Sequence, residues 1–213
     1  MVQMKLERMV GEIQAYIHLN QNVINAFLAI DREVFVPAGF QHLAYKLDAL
    51  PMQSNQWISS PLTVAKMTQY LAIDHKVDSI LEIGCGSGYQ AAILSKLSRR
   101  VVSIERIEGI LKEAKERFSH LGLMNIITKF DDGQNGWEYH APYERILLSA
   151  STGSIPQNLF NQLAIGGVIV APIATPKREV IMRFIKKSDG TIEQEELEPC
   201  HFVPILDGIQ KVR

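Results

Sequence analysis

The residues of this chain best suited to chemistry lie in one stretch, Leu81-Glu82-Ile83-Gly84-Cys85-Gly86-Ser87-Gly88-Tyr89-Gln90. An apolar run leads into three glycines at alternate positions, and a helical pattern leads out. Glycines so spaced at a strand-to-helix turn let the backbone approach a ligand that side chains would hold off. A plain structural turn needs one such glycine rather than three. Gly86-Ser87-Gly88-Tyr89-Gln90-Ala91 also fits the dinucleotide pattern G-x-G-x-x-G/A, and Glu105 follows Gly86 by nineteen positions. On the turn alone, a nicotinamide enzyme stays open.

Acids around the turn favour a different nucleotide. Glu105 ends the second predicted strand, where a carboxylate can accept hydrogen bonds from both ribose hydroxyls, and this serves either cofactor. Asp132-Gly133 follows the third strand, where the acid can face an adenine amino group and the glycine can admit the ring; an ordinary turn has the same composition. Glu82 adds an acid beside the glycines. S-adenosylmethionine carries an ammonium and a sulfonium but no phosphate, so this acidic surround suits it better than it suits a pyrophosphate.

The elements that must position these residues follow from hydrophobic spacing. Before about residue 75 the pattern is helical without strands: Leu6, Met9, Val10, Ile13 and Ile17 share a face, and Asn22 is a candidate cap for a helix carrying Val23, Ala26, Phe27 and Ile30. Ser60-Pro61 opens a third helix, with Ser as cap and Pro at its first position. Beyond it, strands predicted at Ile80–Ile83, Val101–Ile104, Ile126–Phe130, Ile146–Leu148 and Val168–Ile173 alternate with helices at Tyr89–Leu97, around Ile110–Leu121 and at Gln157–Leu163. That alternation implies an α/β fold, a doubly wound, mostly parallel sheet with helices on both faces. Glu179–Lys187, a Ser188-Asp189-Gly190-Thr191 turn and Ile192–Leu197 predict an antiparallel C-terminal addition.

Composition bounds the rest. The chain has 213 residues, 22 Lys+Arg against 23 Asp+Glu, a net charge of -1, and is 46% apolar. One domain is expected over 1–213: a helical N-terminal and substrate-loop region to 75, a cofactor-binding core over 76–175, and C-terminal strands over 176–213. The balanced charge argues against a basic nucleic-acid face. Two cysteines, Cys85 and Cys200, leave no room for a disulfide framework, and His18, His42, His75, His120, His140 and His201 show no metal-ligand spacing, so no metal is expected. The longest apolar run, Val168–Ala174, is broken by Pro172 and falls far short of the ~18 residues of a membrane span. Glu7 and Glu12 stand where a signal peptide would be apolar. A soluble, cytoplasmic monomer is the expectation. Cys85 reads as a small packing residue, and Cys200-His201 as strand neighbours pointing opposite ways, which is unsuited to a nucleophile–base pair.

With these residues in view, the chain resembles the protein-L-isoaspartate (D-aspartate) O-methyltransferase family over nearly its whole length. Leu81–Leu97 resembles that family's cofactor motif; Ser103–Arg106, Gly136-Trp137, Ala141–Ile146 and Gly166–Pro172 resemble its later blocks in order and spacing. Asp31–Pro37 (DREVFVP), His42–Tyr45 (HLAY) and Ile58-Ser59-x-Pro61 resemble segments that other methyltransferases lack, and Phe202–Pro204 is similar to the substrate-closing strand. The resemblance implies a class I methyltransferase (Rossmann-like) fold, S-adenosylmethionine as cofactor, and isoaspartyl-containing proteins and peptides as partners. The implied reaction methylates the isoaspartyl carboxyl, and the ester then collapses to a succinimide unaided, starting repair. Residue by residue it implies Glu82, Gly84, Gly86, Ser87, Gly88, Glu105, Arg106, Asp132 and Gly133 at the cofactor, Ser59 as the catalytic serine, and Gln56, Trp57, Ile58, Ser59, Phe202 and Val203 at the acceptor.

The chain departs from the family in the loop before Ser59. Members typically read P-I-G-x-G-Q-T-I-S; here Pro51-Met52-Gln53-Ser54-Asn55-Gln56-Trp57-Ile58-Ser59 puts Gln53 and Asn55 at the glycines and Trp57 at the threonine. If the glycine positions need positive φ, Asn55 tolerates it and Gln53 resists it. Trp57 could narrow the acceptor site or stack on substrate, but packing into the core is the ordinary fate of such a ring. Asp131 also stands where glycine is usual. Two rival functions keep the cofactor site: a methyltransferase with a dedicated peptide or small-acid acceptor, and a non-catalytic module that binds cofactor or modified protein.

Overall fold

The computed structural model describes residues 1–211; Val212 and Arg213, the end of the expected C-terminal region, lie outside the described residues. Helix α1 (Val2–Gln14) buries Leu6, Met9, Val10 and Ile13, and α2 (Gln21–Leu28) buries Val23, Ala26 and Phe27. The cap of α2 is Asn20 rather than Asn22. The Asn20 side chain accepts from the Val23 amide at 2.9 Å while its Nδ2 donates to the Ile73 carbonyl, a tertiary contact that chooses between the two asparagines. A 3-10 turn at Arg32–Phe35 follows.

The region before residue 75 does contain strands. β1 (Leu50–Pro51) and β2 (Trp57–Ile58) pair antiparallel, with Leu50 opposite Ile58 and Pro51 opposite Trp57. Two-residue strands are too short to leave a period in the sequence. Helix α3 (Pro61–Tyr70) starts as expected, the Ser60 hydroxyl accepting from the Thr63 amide at 3.0 Å.

The remaining elements are β3 (Val77–Ile83), α4 (Tyr89–Leu97), β4 (Ser98–Glu105), α5 (Glu108–His120), β5 (Ile126–Phe130), β6 (Tyr143–Leu148), α6 (Gln157–Gln162), β7 (Leu163–Ala174), β8 (Glu179–Lys186) and β9 (Ile192–Pro199). One seven-stranded sheet has the order β5-β4-β3-β6-β7-β8-β9, parallel from β5 to β7 and antiparallel across β7-β8 and β8-β9. Strand alternation divides the core. Ile80, Val101, Leu147 and Val170 pack towards α1–α4, whereas Leu81, Val102, Ile146 and Ile169 pack with Leu159 on the opposite face. β4 lies on one side of β3 and β6 on the other, so the strand order reverses there and opens a crevice at the carboxyl ends of the strands.

Candidate active site

That crevice holds a cleft that, counted with the open solvent at its mouth, takes up about 930 Å³. Its floor is the turn leaving β3. The Gly84 and Cys85 amides both donate to the Ile104 carbonyl, at 2.9 and 3.1 Å, which ties the turn to β4. Gly88 caps α4 at φ +89, and a Cβ there would stand 2.7 Å from the Phe118 ring, so this glycine is set by the packing of α5 as well as by the turn.

Glu105 closes β4 against the turn. Its Oε2 accepts from the Gly86 amide and its Oε1 from the Ile107 amide, each at 2.9 Å. Burial raises the carboxyl above its ordinary range, opposed by the pull of the Gly86, Ile107 and Arg106 amides. Acceptor capacity remains on the carboxylate, and Glu105 lines the cleft. Space for a Cβ at Gly86 is open, with nothing within 4 Å. A bare backbone beside a carboxylate with spare acceptor capacity fits an adenosyl cofactor with its ribose hydroxyls.

Asp132 also lines the cleft, but its carboxylate is engaged. Oδ1 accepts from the Gln134 amide at 3.0 Å, capping a 3-10 turn, and Oδ2 accepts from the Gly208 amide at 2.8 Å. It braces the C-terminal wall while, like Glu105, still lining the cleft. Arg106 does the same, its Nε donating to the Gly208 carbonyl at 3.0 Å. Gly133 is dictated by packing, since a Cβ would come within 2.4 Å of Ile83 Cγ2.

Three of the expected site residues do not border the cleft. Gly88 lies behind the turn as the helix cap. Glu82 is fully buried; Oε2 accepts from the Ser103 hydroxyl, Oε1 has no partner, and burial pushes its carboxyl up to about 8. Burial thus favours the protonated form of Glu82, whose carboxyl lies inside the core rather than at the surface of the turn. Phe202 turns inward against the large core cluster, its amide held by Glu179 Oε1 at 3.0 Å. Cys85 is buried with its thiol pushed upward by desolvation, and Cys200 and His201 lie past the end of β9 rather than in it.

Gln56, Trp57, Ile58 and Ser59 form the opposite wall, and Val203 and Pro204 the side. The Ser151 amide donates to the Val203 carbonyl at 2.8 Å and the Ile205 amide to the Ser151 carbonyl at 2.7 Å, which stitches this segment beside β6. Trp57 is not packed into the core: 55% of it is exposed at the mouth of the cleft. In the loop behind it, Ser54 and Asn55 take φ +57 and +55 while Gln53 avoids positive φ, so the residue least suited to that conformation is spared it. The Ser59 hydroxyl lines the cleft and has no hydrogen-bond partner among the described residues. The residues missed from sequence include Ser149 and Ala150, which follow β6 at the same carboxyl edge as Glu105; the rule that singled out Glu105 also covers them. Arg32 was missed too, buried behind Ser59 with Nη2 donating to the Ser59 carbonyl at 2.9 Å.

A sequence profile of "Protein-L-isoaspartate(D-aspartate) O-methyltransferase (PCMT)" matches residues 4–210. The chain belongs to this family. Among curated proteins it is similar to the protein-L-isoaspartate O-methyltransferase of Helicobacter pylori (strain G27), 57% identical over 202 residues, covering 95% of this chain and 96% of that one. The protein of the same name from Rhodospirillum centenum is 45% identical over 188 residues, 88% and 85% of the two chains. Among solved structures, a protein-L-isoaspartate O-methyltransferase superposes with a TM-score of 0.84 at 26% identity, over 96% of this chain and 67% of that one. A Plasmodium falciparum structure described as a putative member of the same family shares the fold, with a TM-score of 0.82 at 20% identity over 96% and 98% of the chains. Family membership removes the nicotinamide reading that the glycine turn by itself left open.

Proposed function

We infer that this chain is an S-adenosylmethionine-dependent O-methyltransferase acting on the free carboxyl of L-isoaspartyl residues in proteins and peptides. The observation that carries the reading is the conjunction, in one cleft, of the glycine turn with Glu105 on one wall and an unpartnered Ser59 hydroxyl on the other. When bound, the cofactor supplies an electrophilic methyl group on a sulfonium. Glu105 and the turn would hold its ribose end.

The acceptor needs no base. A carboxyl with a reference pKa of about 4 is already ionised at neutral pH. The work left to the protein is to orient one carboxylate oxygen and to exclude water, effects that in well-aligned systems reach roughly 7–11 kcal/mol. Ser59 donates a hydrogen bond to the acceptor carboxylate and does not itself attack; its support is its place on the wall and its free hydroxyl. Gln56–Ile58 and Val203 flank the acceptor, and Ile205 and Leu206 narrow the cleft above it. We assign it a monomeric, cytoplasmic role without nucleic acid, supported by two unpaired cysteines, a balanced charge and a cleft completed within one chain.

The test is methyl transfer from labelled S-adenosylmethionine to an isoaspartyl peptide, beside its aspartyl isomer and a Ser59→Ala variant. Transfer is expected for the isoaspartyl peptide alone. Loss of one hydrogen bond to a charged group is worth about 1.5–3 kcal/mol, so Ser59→Ala should lower kcat/KM by about tenfold to a hundredfold. Intact cofactor binding without transfer to any isoaspartyl peptide would overturn the reading in favour of a dedicated acceptor.

A further inference from the structure

Arg32 is among the largest fully buried side chains of the protein. It is held in the 3-10 turn after α2, and its Nη2 donates to the Ser59 carbonyl at 2.9 Å. Its Nε and Nη1 have no partner. Among the described residues no carboxylate pairs with it: neighbouring Asp31 accepts from the Tyr45 hydroxyl at 2.5 Å and the Glu33 amide at 3.0 Å, and Glu33 pairs with Lys5. The guanidinium instead lies 4.7 Å from the centre of the Tyr89 ring, whose hydroxyl is also unpartnered and against which Phe27 packs edge-on and Phe35 at a tilt. Arginine stays protonated even when desolvated, so the protein carries a buried cation without a counter-anion.

Burying a charge is costly unless an opposite charge offsets it, and a face-on aromatic ring offsets it only in part. Ser59 and Tyr89, the two groups Arg32 touches, both line the cleft, whereas Arg32 does not. An anion arriving at that wall completes the ion pair through a low-dielectric layer, where charges interact more strongly than in water. Two carboxylates can reach the cleft, that of the acceptor and that of the cofactor's methionine moiety. The contact to Ser59 favours the first.

We propose that Arg32 is a positioning residue that fixes the Ser59 segment and supplies the positive charge by which the site selects a carboxylate acceptor over an uncharged one. The proposal rests on the reading of this wall as the isoaspartyl site. It gives a role to the one strongly charged group that the methyl-transfer chemistry leaves unused near the serine.

The test compares binding of an isoaspartyl peptide with that of its isoasparaginyl carboxamide, by calorimetry on the full chain loaded with S-adenosylhomocysteine. The wild type should bind the carboxylate more than about tenfold better. Arg32→Met, which keeps length and loses charge, should reduce that ratio about tenfold, and Arg32→Lys should hold it within about threefold of wild type. Cofactor affinity should stay within about twofold in both variants. An undiminished ratio in Arg32→Met overturns the proposal, as does a loss confined to cofactor binding, which would assign the charge to the cofactor carboxylate. If Arg32→Met lacks native near-ultraviolet circular dichroism, Arg32→Lys decides: a ratio that collapses although the charge is kept overturns it. Failure of the wild type to methylate or bind either peptide refutes the isoaspartyl reading itself, a result distinct from any of these.

Discussion

The glycine turn on β3 and the Met52–Ser59 segment face each other across the same cleft, yet they are held in different ways. The turn is fastened by backbone: the Gly84 and Cys85 amides to Ile104, the Gly86 amide to Glu105, the Gly88 amide to Cys85, and the Ser149 amide to Ile83 behind it. Gly88 abuts α5, and the flanks of the turn are core. The facing hairpin is held by two strand residues a side, a hydrogen bond of 2.8 Å from the Met52 amide to the Gln56 carbonyl, and surface polar contacts. Gln53 Nε2 donates to Glu113 at 2.7 Å; Glu113 pairs with Arg117 at 2.9 Å; Arg117 reaches the Ser87 carbonyl at 3.2 Å. The contrast teaches where this family scaffold can vary. A wall fixed by buried backbone tolerates little change, whereas one resting on a short hairpin accepts Gln53, Asn55 and Trp57 without disturbing the sheet.

The contrast can be broken from its rigid side first. Gly88→Ala adds a Cβ 2.7 Å from Phe118 at φ +89. Left-handed strain of roughly 1–2 kcal/mol and overpacking of similar size should together cost about 3 kcal/mol in chemical denaturation. A loss below about 1 kcal/mol would mean the turn yields more than its packing implies.

Glu82 tests the same wall through pH. Burial lifts its carboxyl from 4.5 to about 8, so within that window the folded chain keeps a proton the unfolded chain has released. Stability should therefore fall as pH rises through the window, by about 1.4 kcal/mol per unit. Glu82→Gln carries no such proton and keeps a partner for Ser103. It should exceed the wild type by about 2 kcal/mol or more at pH 8, with the gain vanishing towards pH 4.5. Parallel urea-stability profiles between the two proteins would show that Glu82 is ionised in the core.

On the variable side the expected effects separate binding from folding. Trp57→Ala removes an exposed ring at the cleft mouth, so stability should change by less than about 0.5 kcal/mol while the KM for an isoaspartyl peptide rises several-fold. An unchanged KM would exclude the ring from acceptor binding. Asn55→Gly restores the family residue at φ +55 and should shift stability by no more than about 0.5 kcal/mol, because asparagine already tolerates that region.

Much of the architecture was legible because it depends on local pattern. Tyr89–Leu97 and Ile126–Phe130 fall where their apolar spacing puts them, and Ser60-Pro61 opens α3 with the expected cap. The errors have a common origin. Asn20 and Asn22 are equivalent as local caps, and only the contact to Ile73 separates them. The β1–β2 hairpin is shorter than any period. Glu82 stands beside the glycines in sequence, and only the strand face shows that its side chain is buried. Trp57 carries the composition of a core residue, and only the hairpin's place at the cleft mouth leaves it exposed.

The linear sequence determined the order of strands and helices, the strand-to-helix glycine turn and the family, because hydrophobic period, caps and motif spacing are properties of neighbours in the chain. The tertiary structure decided which acids meet the cleft, which is buried in the core, and that Arg32 stands behind Ser59, twenty-seven positions away in sequence. Charge state and exposure depend on what surrounds a group in space, and residues distant in the chain supply those surroundings.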